Sequence, residues 1–441
     1  MSTGLLAVIL FVALIGMIIV GFHVAFVLGI LAVLGGYLAW GSMFFAMLPA
    51  RTMTMMTSYE MGSITLFIVM GCIMERAGIA ERLYGTMHIL MGNLKGGLLI
   101  GTMIVCIIFA ACTGIGGAAV IMMGTVAIPS MLARNYDKEM VAGCIAAGGG
   151  LGVIIPPSIM LILYGPVSGL GIARLFVAAT VPGVIMGIAY VLYIAIRCWI
   201  KPELGPALSE DVRMNISKKE LLILTIRDLF PPIFLILGVL GSIAGGIASP
   251  TEAAGVGAFL ALLLMIVYGR FSIPVLQDAL LSTAKITGMV FLIMLFAGFF
   301  TSAFMALRGD EVLHSFILGI SGGSKLVTIM IMLGIVFILG MFMDWIGTLL
   351  IIVPLFVPML ASVGADPVWF AILFCIMLQI SYITPPFAYN IFFLKGVAPP
   401  EMTLNHIIRG CIPYIFIQIG LLVLFYMVPE ITLWLPRLLL N

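Results

Sequence analysis

Two pairs of adjacent prolines interrupt long apolar segments, Pro156-Pro157 in IIPPSI and Pro385-Pro386 in YITPPF. Proline lacks a backbone N–H and its ring clashes with the preceding helical turn, so paired prolines interrupt a helix. In a membrane, irregular backbone is tolerated only where protein buries it or where it lines a cavity. A broken membrane helix presents free carbonyls that can coordinate a cation such as Na⁺, and a half-helix N-terminus that attracts an anion.

Small and polar residues accompany both proline pairs. Beside the first pair are Gly148, Gly149, Gly152 and Ser158, and beside the second are Gln379, Ser381, Thr384 and Asn390. A plain kink is the alternative interpretation, because glycine and proline are commoner in membrane helices than in soluble ones. Two such pairs at matched positions favour binding sites at membrane depth.

Two short turns precede the proline pairs, each between apolar runs. The first reads Thr113-Gly114-Ile115-Gly116-Gly117, and the second contains Asp344 and Gly347. Glycine allows a tight turn whose backbone approaches its neighbours closely. Asp344 is an ionisable residue at the expected membrane depth, which indicates a functional role. It is equally suited to cap a helix, and a capping carboxylate can also face a cation.

The elements that must position these residues are membrane helices. Of the 441 residues, 63% are hydrophobic and 9% are charged, far from the composition of a soluble globular protein. The net charge of +2 gives no indication of a nucleic-acid partner, and we expect none. The seven cysteines and four histidines are scattered, and no HExxH, CxxC or P-loop pattern occurs. We therefore expect neither an enzyme nor an ATP site.

The two halves of the chain repeat each other at an offset of 229 residues. The offset superposes Pro129 on Pro358, Asp137 on Asp366, Pro156 on Pro385 and Pro157 on Pro386. The hydropathy pattern repeats over nearly the whole chain. In the first half it predicts spans at 4–20, 24–40, 61–76 and 172–197, an amphipathic segment 77–96, a helical pair 97–133 and a broken span 140–164. In the second half it predicts spans at 232–249, 253–268, 286–306 and 411–428, an amphipathic segment 307–325, a pair 326–362 and a broken span 368–393.

Each helical pair is interpreted as a re-entrant hairpin. Its two runs are short for a bilayer crossing, which needs about 20 residues, and its turn is short. With hairpins, the two halves have opposite orientations, and 15 of the 20 basic residues fall on one side. The positive-inside rule makes that side cytoplasmic and both termini periplasmic. Two full crossings in place of each hairpin remain the alternative. We predict an all-α polytopic membrane protein with two inverted-topology repeats, each of five spans plus one re-entrant hairpin, and with discontinuous helices.

Two stretches carry a family resemblance. They are CTGIGGAAVIMMGTVAIPSMLARNYDKEMVAGCIAAGGGLGVIIPPSIMLILYG and GMFMDWIGTLLIIVPLFVPMLASVGADPVWFAILFCIMLQISYITPPFAYNIFF. They resemble the two hairpins and broken helices of the large membrane subunit of TRAP transporters (tripartite ATP-independent periplasmic transporters). The resemblance covers nearly the full chain.

The resemblance implies a sodium-driven importer of an organic acid with an elevator mechanism, in the inner membrane of a bacterium. It also implies a separate small four-helix membrane subunit and a periplasmic substrate-binding protein as partners. The implied parts are scaffold spans 1–76 and 231–306, arm helices 77–96 and 307–325, transport-domain halves 97–200 and 326–428, a cytoplasmic linker 201–230 and a C-terminal tail 429–441.

We expect Na⁺ to bind between each turn and the adjacent broken helix, and the acid to lie between the two half-helices. The candidate sodium ligands are Thr113, Gly114, Gly148, Gly149, Gly152, Asp344, Gly347, Gln379 and Ser381. The candidate substrate-binding residues are Gly116, Gly117, Pro156, Pro157, Ser158, Thr384, Pro385, Pro386 and Asn390. One alternative is a stand-alone dimeric sodium-carboxylate symporter of the same superfamily. Another is a membrane-embedded enzyme, for which clustered catalytic groups are missing.

Overall fold

The computed structural model describes residues 3–114, 116–207 and 218–440, and within these ranges it contains helices and no strand. The helices of the first half are α1 (Thr3–Ile19), α2 (Val24–Trp40), α3 (Met43–Met56), α4 (Tyr59–Arg76), α5 (Ile79–Met91), α6 (Gly97–Thr113), α7 (Gly116–Leu132), α8 (Lys138–Gly150), α9 (Ile159–Ser168) and α10 (Ile172–Ile200). A short 3₁₀ turn follows α8, and another follows α10.

The second half begins with α11 (Lys218–Ala244). It continues with α12 (Pro250–Val267), α13 (Ile273–Ala306), α14 (Gly309–Ser321), α15 (Lys325–Phe342), α16 (Trp345–Ser362), α17 (Pro367–Tyr382), α18 (Tyr389–Val397), α19 (Leu404–Met427) and α20 (Glu430–Leu439). Seven of the described helices are long and apolar enough to cross a membrane, or eight when α3 and α4 count as one bent span. The predicted all-α polytopic fold is confirmed.

The two halves interlock through equivalent helices. A shift of 229 residues brings α2 onto α12, α4 onto the second part of α13, and α6 to α9 onto α15 to α18. The most extensive packing joins α2 to α13 and α4 to α12. These two interfaces are exchanged by the repeat, as expected for a pseudo-two-fold relation between the halves. Both proline pairs contain a cis peptide bond.

Several helices of the second half begin earlier than predicted, and one lies in the predicted tail. α11 begins at Lys218, inside the segment predicted as linker, and residues 208–217 of that segment lie outside the described residues. α13 begins at Ile273 rather than near 286, because Ser272 caps it by accepting from the Val275 N–H at 3.4 Å. The predicted tail contains α20, which packs on α10 and α17. Apolar runs marked only the most hydrophobic part of these helices.

The helix α3 was not predicted. It continues into α4 with a bend of 56°, whereas the equivalent 34 residues of the second half form the continuous helix α13. The segment contains Pro49, Arg51, Thr52 and Thr54, which interrupt its apolar run. The sequence of this segment therefore does not predict a membrane span.

Long-range ion pairs gather at one end of the molecule. They are Arg76–Asp278 at 2.6 Å, Arg82–Asp228 at 3.9 Å and Arg409–Glu139 at 3.8 Å. These pairs link α4 to α13, α5 to α11 and α19 to α8. All six residues belong to the side that the charge pattern predicts to be cytoplasmic. We call this side the basic end.

Candidate functional site

The first turn is wedged between the first broken helix and α4. α6 ends at Gly114, whose φ of +65° is left-handed and whose N–H donates to Ala110 O at 2.8 Å. A Cβ at Gly114 would lie 2.9 Å from Pro157 O, and one at Gly71 would lie 2.7 Å from Thr113 O. Both positions therefore need glycine for close backbone approach. The burial of Thr113 and Gly114 favours a re-entrant hairpin over two full crossings, which would put this turn in water.

The first broken helix stops at Gly150 and resumes at Ile159. Ser158 stands at the N-cap position of α9, but its hydroxyl donates to Val153 O at 2.6 Å and makes no capping bond. The hydroxyl thus satisfies a carbonyl that the break has freed. No side chain caps the N–H groups at the start of α9. Ser158 and both prolines before it are buried.

The second turn carries the acidic residue of the site. Asp344 occupies the N-cap position of α16, with φ −65° and ψ 161°. Its carboxylate faces the N–H groups of Ile346 and Gly347 but does not reach capping hydrogen-bond geometry. Its Oδ1 lies 3.0 Å from the position of a Cβ at Gly347. The carboxylate therefore retains capacity to coordinate a cation.

The second broken helix contains a buried amide without partners. Gln379 is 1% exposed, and neither its Oε1 nor its Nε2 has a hydrogen-bond partner among the described residues. The hydroxyls of Ser381 and Thr384 donate to Leu378 O and Ile380 O at 2.7 and 2.6 Å. An unsatisfied buried polar group costs about 1–3 kcal/mol. Gln379 is thus a candidate partner for an ion or a water. No cluster of three or more His, Cys, Asp or Glu occurs in the described ranges.

A cavity of about 600 Å³ brings the two halves together. Four of the predicted site residues line it: Gly116, Gly117, Asp344 and Asn390. Gly150, Tyr382 and Tyr389 belong to the same lining, and Glu75 and Met289 supply the wall from α4 and α13. No Lys or Arg of the described residues lines the cavity. Glu75 stands in the last turn of α4, beside Arg76, so the cavity lies toward the basic end.

Asn390 joins the half-helix of one repeat to the broken helix of the other. Its Nδ2 donates to Ala146 O at 3.0 Å, and the residue is 3% exposed. A Cβ at Gly150 would lie 3.0 Å from the same Nδ2. Tyr389, one residue earlier, donates from its hydroxyl to Phe342 O at 3.4 Å, next to the second turn. These contacts hold α18 against both halves of the site.

The other predicted residues do not line this cavity. Pro156, Pro157 and Ser158 are buried in the break itself, while Pro385 and Pro386 are exposed. Thr384 faces a separate apolar groove between α15, α17 and α19. The proline pairs thus shape the backbone of the breaks and stand apart from the cavity.

Three of the glycines predicted as sodium ligands sit at close helix contacts. A Cβ at Gly148 would lie 2.9 Å from Cys106 Cβ, one at Gly149 2.4 Å from Val120 Cγ2, and one at Gly152 3.2 Å from Ala110 Cβ. These positions let α6 and α7 pack against the broken helix. Ile115, in the middle of the first turn, lies outside the described residues.

Sequence reasoning missed Glu75, Met289 and the two tyrosines. Glu75 ends an apolar run next to Arg76, which is the usual pattern of charges at a membrane-helix end. Tyr382 and Tyr389 flank the second proline pair and meet edge to face with ring centroids 6.0 Å apart. Their position beside the break was a signal that could have been used.

Comparison with known proteins shows the family of the chain. A family model described as the DctM component of the tripartite ATP-independent periplasmic transporters matches residues 11–431. The C4-dicarboxylate TRAP transporter large permease protein DctM of Vibrio cholerae is 30% identical, with 98% of each chain covered. The isethionate TRAP transporter permease protein DctMQ of Oleidesulfovibrio alaskensis is 30% identical over 95% of this chain and 64% of its own length.

A solved structure shares the fold. The crystal structure of the YdaH transporter of Alcanivorax borkumensis matches with a TM-score of 0.62, over 93% of this chain and 96% of that chain. The sequences are 14% identical, so this likeness concerns the fold alone. The predicted resemblance to TRAP transporters is confirmed by the family match and by the relatives. The chain belongs to the DctM family, the large membrane component of tripartite ATP-independent periplasmic transporters.

Proposed function

We propose that this chain is the large membrane subunit of a sodium-coupled secondary transporter that imports an organic acid delivered by a periplasmic binding protein. One observation carries the proposal. A hairpin turn and a broken helix from each of two repeats meet around one cavity, where Asp344 and Asn390 contribute polar groups. Transporters with inverted repeats place substrate and coupling ion at this kind of junction.

Sodium coupling is supported by two side chains of the second half that carry oxygen atoms, Asp344 in the turn and Gln379 in the broken helix. The Asp344 carboxylate lacks a capping bond, and the buried amide of Gln379 has no partner among the described residues. Carboxylate, amide and carbonyl oxygens are the ligands of hard cations. Under the proposal, Na⁺ is held near Asp344 in the second half and by backbone carbonyls of the first turn in the other half.

The proposal that the substrate is an organic acid is supported by two half-helix N-termini without side-chain caps. Neither α9 nor α18 receives a side-chain cap. Such N-termini attract anions through free N–H groups and the helix dipole. Among the described residues no basic side chain lines the cavity, and the first residues of α18, Tyr389 and Asn390, belong to its lining. Under the proposal, the charge of the acid is therefore balanced by the N-terminus of α18 and by bound sodium. This dependence is a physical reason for coupling. The relative from V. cholerae is named for C4-dicarboxylates.

The partners and the transport movement that we propose are those implied by the resemblance to the TRAP transporter family. The proposed partners are a small four-helix membrane subunit and a periplasmic substrate-binding protein, as the resemblance to the family implies. The hairpins and broken helices would move as one body against α1 to α4 and α11 to α13 in an elevator movement. The chain would lie in the bacterial inner membrane with both termini in the periplasm.

Uptake by proteoliposomes tests the proposal. The full chain, with its small membrane subunit, is reconstituted and supplied with a radiolabelled C4-dicarboxylate, isethionate or 2,3-diketo-L-gulonate. We expect one of these acids to accumulate only with an inward Na⁺ gradient and with the binding protein outside. Equal uptake in K⁺ would contradict sodium coupling. Equal uptake without the binding protein would instead favour a stand-alone symporter.

A further inference from the structure

Glu75 stands where the cavity meets α4. It belongs to the last turn of this helix, at the basic end, and its side chain is 36% exposed. It lines the cavity together with Met289 of α13. The cavity therefore contains a carboxylate that belongs neither to a hairpin nor to a broken helix.

The neighbouring arginine is shared between this carboxylate and that of Asp278. Arg76 donates from Nε to Asp278 Oδ2 at 2.6 Å and from Nη2 to Ser282 Oγ at 2.7 Å. Its Nη1 forms a longer ion pair with Glu75 Oε2, at 3.7 Å and without a hydrogen bond. The two carboxylates and one guanidinium leave one negative charge. Because Arg76 is directed toward Asp278, that charge faces the cavity.

Within the described part of the chain, an organic anion in this cavity meets two carboxylates and no basic side chain. Asp344 lines the side of the second turn, and Glu75 lines the wall from α4. Bound Na⁺ would balance Asp344. After the cation has left, both charges repel the anion, and a charge at cavity distance changes a binding constant measurably.

The repeat does not reproduce this carboxylate. The residue equivalent to Glu75 is Phe304, which is buried and lines a different, apolar cavity. The other carboxylate of α4, Glu60, stands at the opposite end of the helix and accepts a hydrogen bond from Ser58. The first repeat thus has a carboxylate at the basic end of α4, and the second repeat has none at the equivalent position.

We propose that Glu75 is a release residue: its charge lowers the affinity of the cavity for the organic acid on the cytoplasmic side. The inference rests on the proposed transport function. The carboxylate of Glu75 repels the anion electrostatically, from the part of the cavity wall that α4 forms at the basic end. It disfavours rebinding of the acid from the cytoplasm.

Inhibition from inside the vesicle tests this role. Proteoliposomes of the complex take up radiolabelled succinate, or whichever acid of the panel wild type transports, with the binding protein outside only. Unlabelled acid is placed in the lumen, which only the cytoplasmic side of the active molecules faces. For Glu75→Gln we expect about three- to tenfold less lumenal acid at half-inhibition. The concentration of binding protein that gives half-maximal uptake should stay within about twofold of wild type, because a local charge acts only at this side.

Three further variants make the result specific. Glu75→Asp keeps the charge and should behave as wild type. Glu203→Gln removes an exposed charge on the same end outside the cavity, and Glu60→Gln removes one at the opposite end of α4; both should leave lumenal inhibition unchanged. An unchanged half-inhibition in Glu75→Gln, or an equal shift on both sides, overturns the inference while wild-type transport upholds the proposed function. If wild type shows no sodium-dependent uptake, both fall.

Discussion

The two halves build the same junction with different chemistry. In the first half, the turn has no ionisable residue, and its glycines bring backbone against backbone: Gly114 lies on Pro157 O and Gly116 on Gly149 O. In the second half, the turn carries Asp344, and Gln379 occupies the position equivalent to Gly150. The first half thus offers main-chain groups at close packing, while the second offers side-chain oxygens.

This difference teaches how a repeat can be retained while its ligands diverge. The backbone breaks depend on the proline pairs, which both halves keep together with a cis peptide bond. The ligands depend on single residues that can change without altering the break. A similar divergence separates the bent pair α3–α4 from the continuous α13, although both fill equivalent positions. Variants in matched positions can therefore test which half carries which task.

The largest effect is expected at the acidic turn. Asp344→Asn should raise the Na⁺ concentration for half-maximal uptake at least about thirtyfold, because a carboxylate close to a cation contributes about 2 kcal/mol or more. Sodium titration of uptake measures this shift. Asp366→Asn is the matched control, since Asp366 caps α17 by accepting from the Val368 N–H at 2.8 Å. If both variants changed the sodium dependence of uptake equally, the assignment of the Asp344 carboxylate as a sodium ligand would be wrong.

The next effect concerns the backbone contact of the first turn. Gly114→Ala should lower thermal stability, because the position combines a φ of +65° with a Cβ site 2.9 Å from Pro157 O. We expect a loss of about 2–4 kcal/mol in the free energy of unfolding. Gly169 also has a positive φ, +72°, but a Cβ there would meet no atom within 4 Å. Gly169→Ala therefore isolates the cost of the backbone conformation, about 1 kcal/mol in the free energy of unfolding. Equal losses in unfolding measurements would mean that close packing adds nothing in the first half.

A smaller effect distinguishes ligand from packing at Gln379. Gln379→Leu removes an amide without partners and should leave thermal stability unchanged or raised by about 1 kcal/mol. Its Na⁺ half-saturation should rise about three- to tenfold if the amide oxygen coordinates the cation. Thermal unfolding and sodium titration are measured on the same preparation. An unchanged sodium response would remove Gln379 from the ion site of the second half.

The smallest effects are expected from the hydroxyls of the two breaks. Ser158→Ala and Ser381→Ala each remove a hydroxyl that donates to a nearby carbonyl, Val153 O or Leu378 O. Each should cost about 1 kcal/mol of stability and change uptake by about twofold or less. A large loss of sodium-dependent uptake in one variant alone would assign that hydroxyl to the site and sharpen the difference between the halves.

Much of the framework could be predicted because it leaves local marks. The proline pairs, the repeat offset and the apolar runs place most helices, and Asp344 and Asn390 stand out as polar residues in apolar segments. α3 and the first turns of α13 escaped, because Pro49 and polar residues such as Asp278 obscure the apolar pattern there. Ser158 was a candidate for substrate contact, but the folded chain directs its hydroxyl to Val153 O.

The sequence by itself determined the membrane-spanning class, the two-fold repetition and the positions of the broken helices, because burial in lipid and missing backbone donors act locally along the chain. Only the tertiary structure decided which polar groups share a cavity. It brought Glu75 of α4 to the same space as Asp344 and Asn390, residues more than 250 positions away. Packing between distant helices sets such distances, and no periodicity or spacing along one segment encodes them.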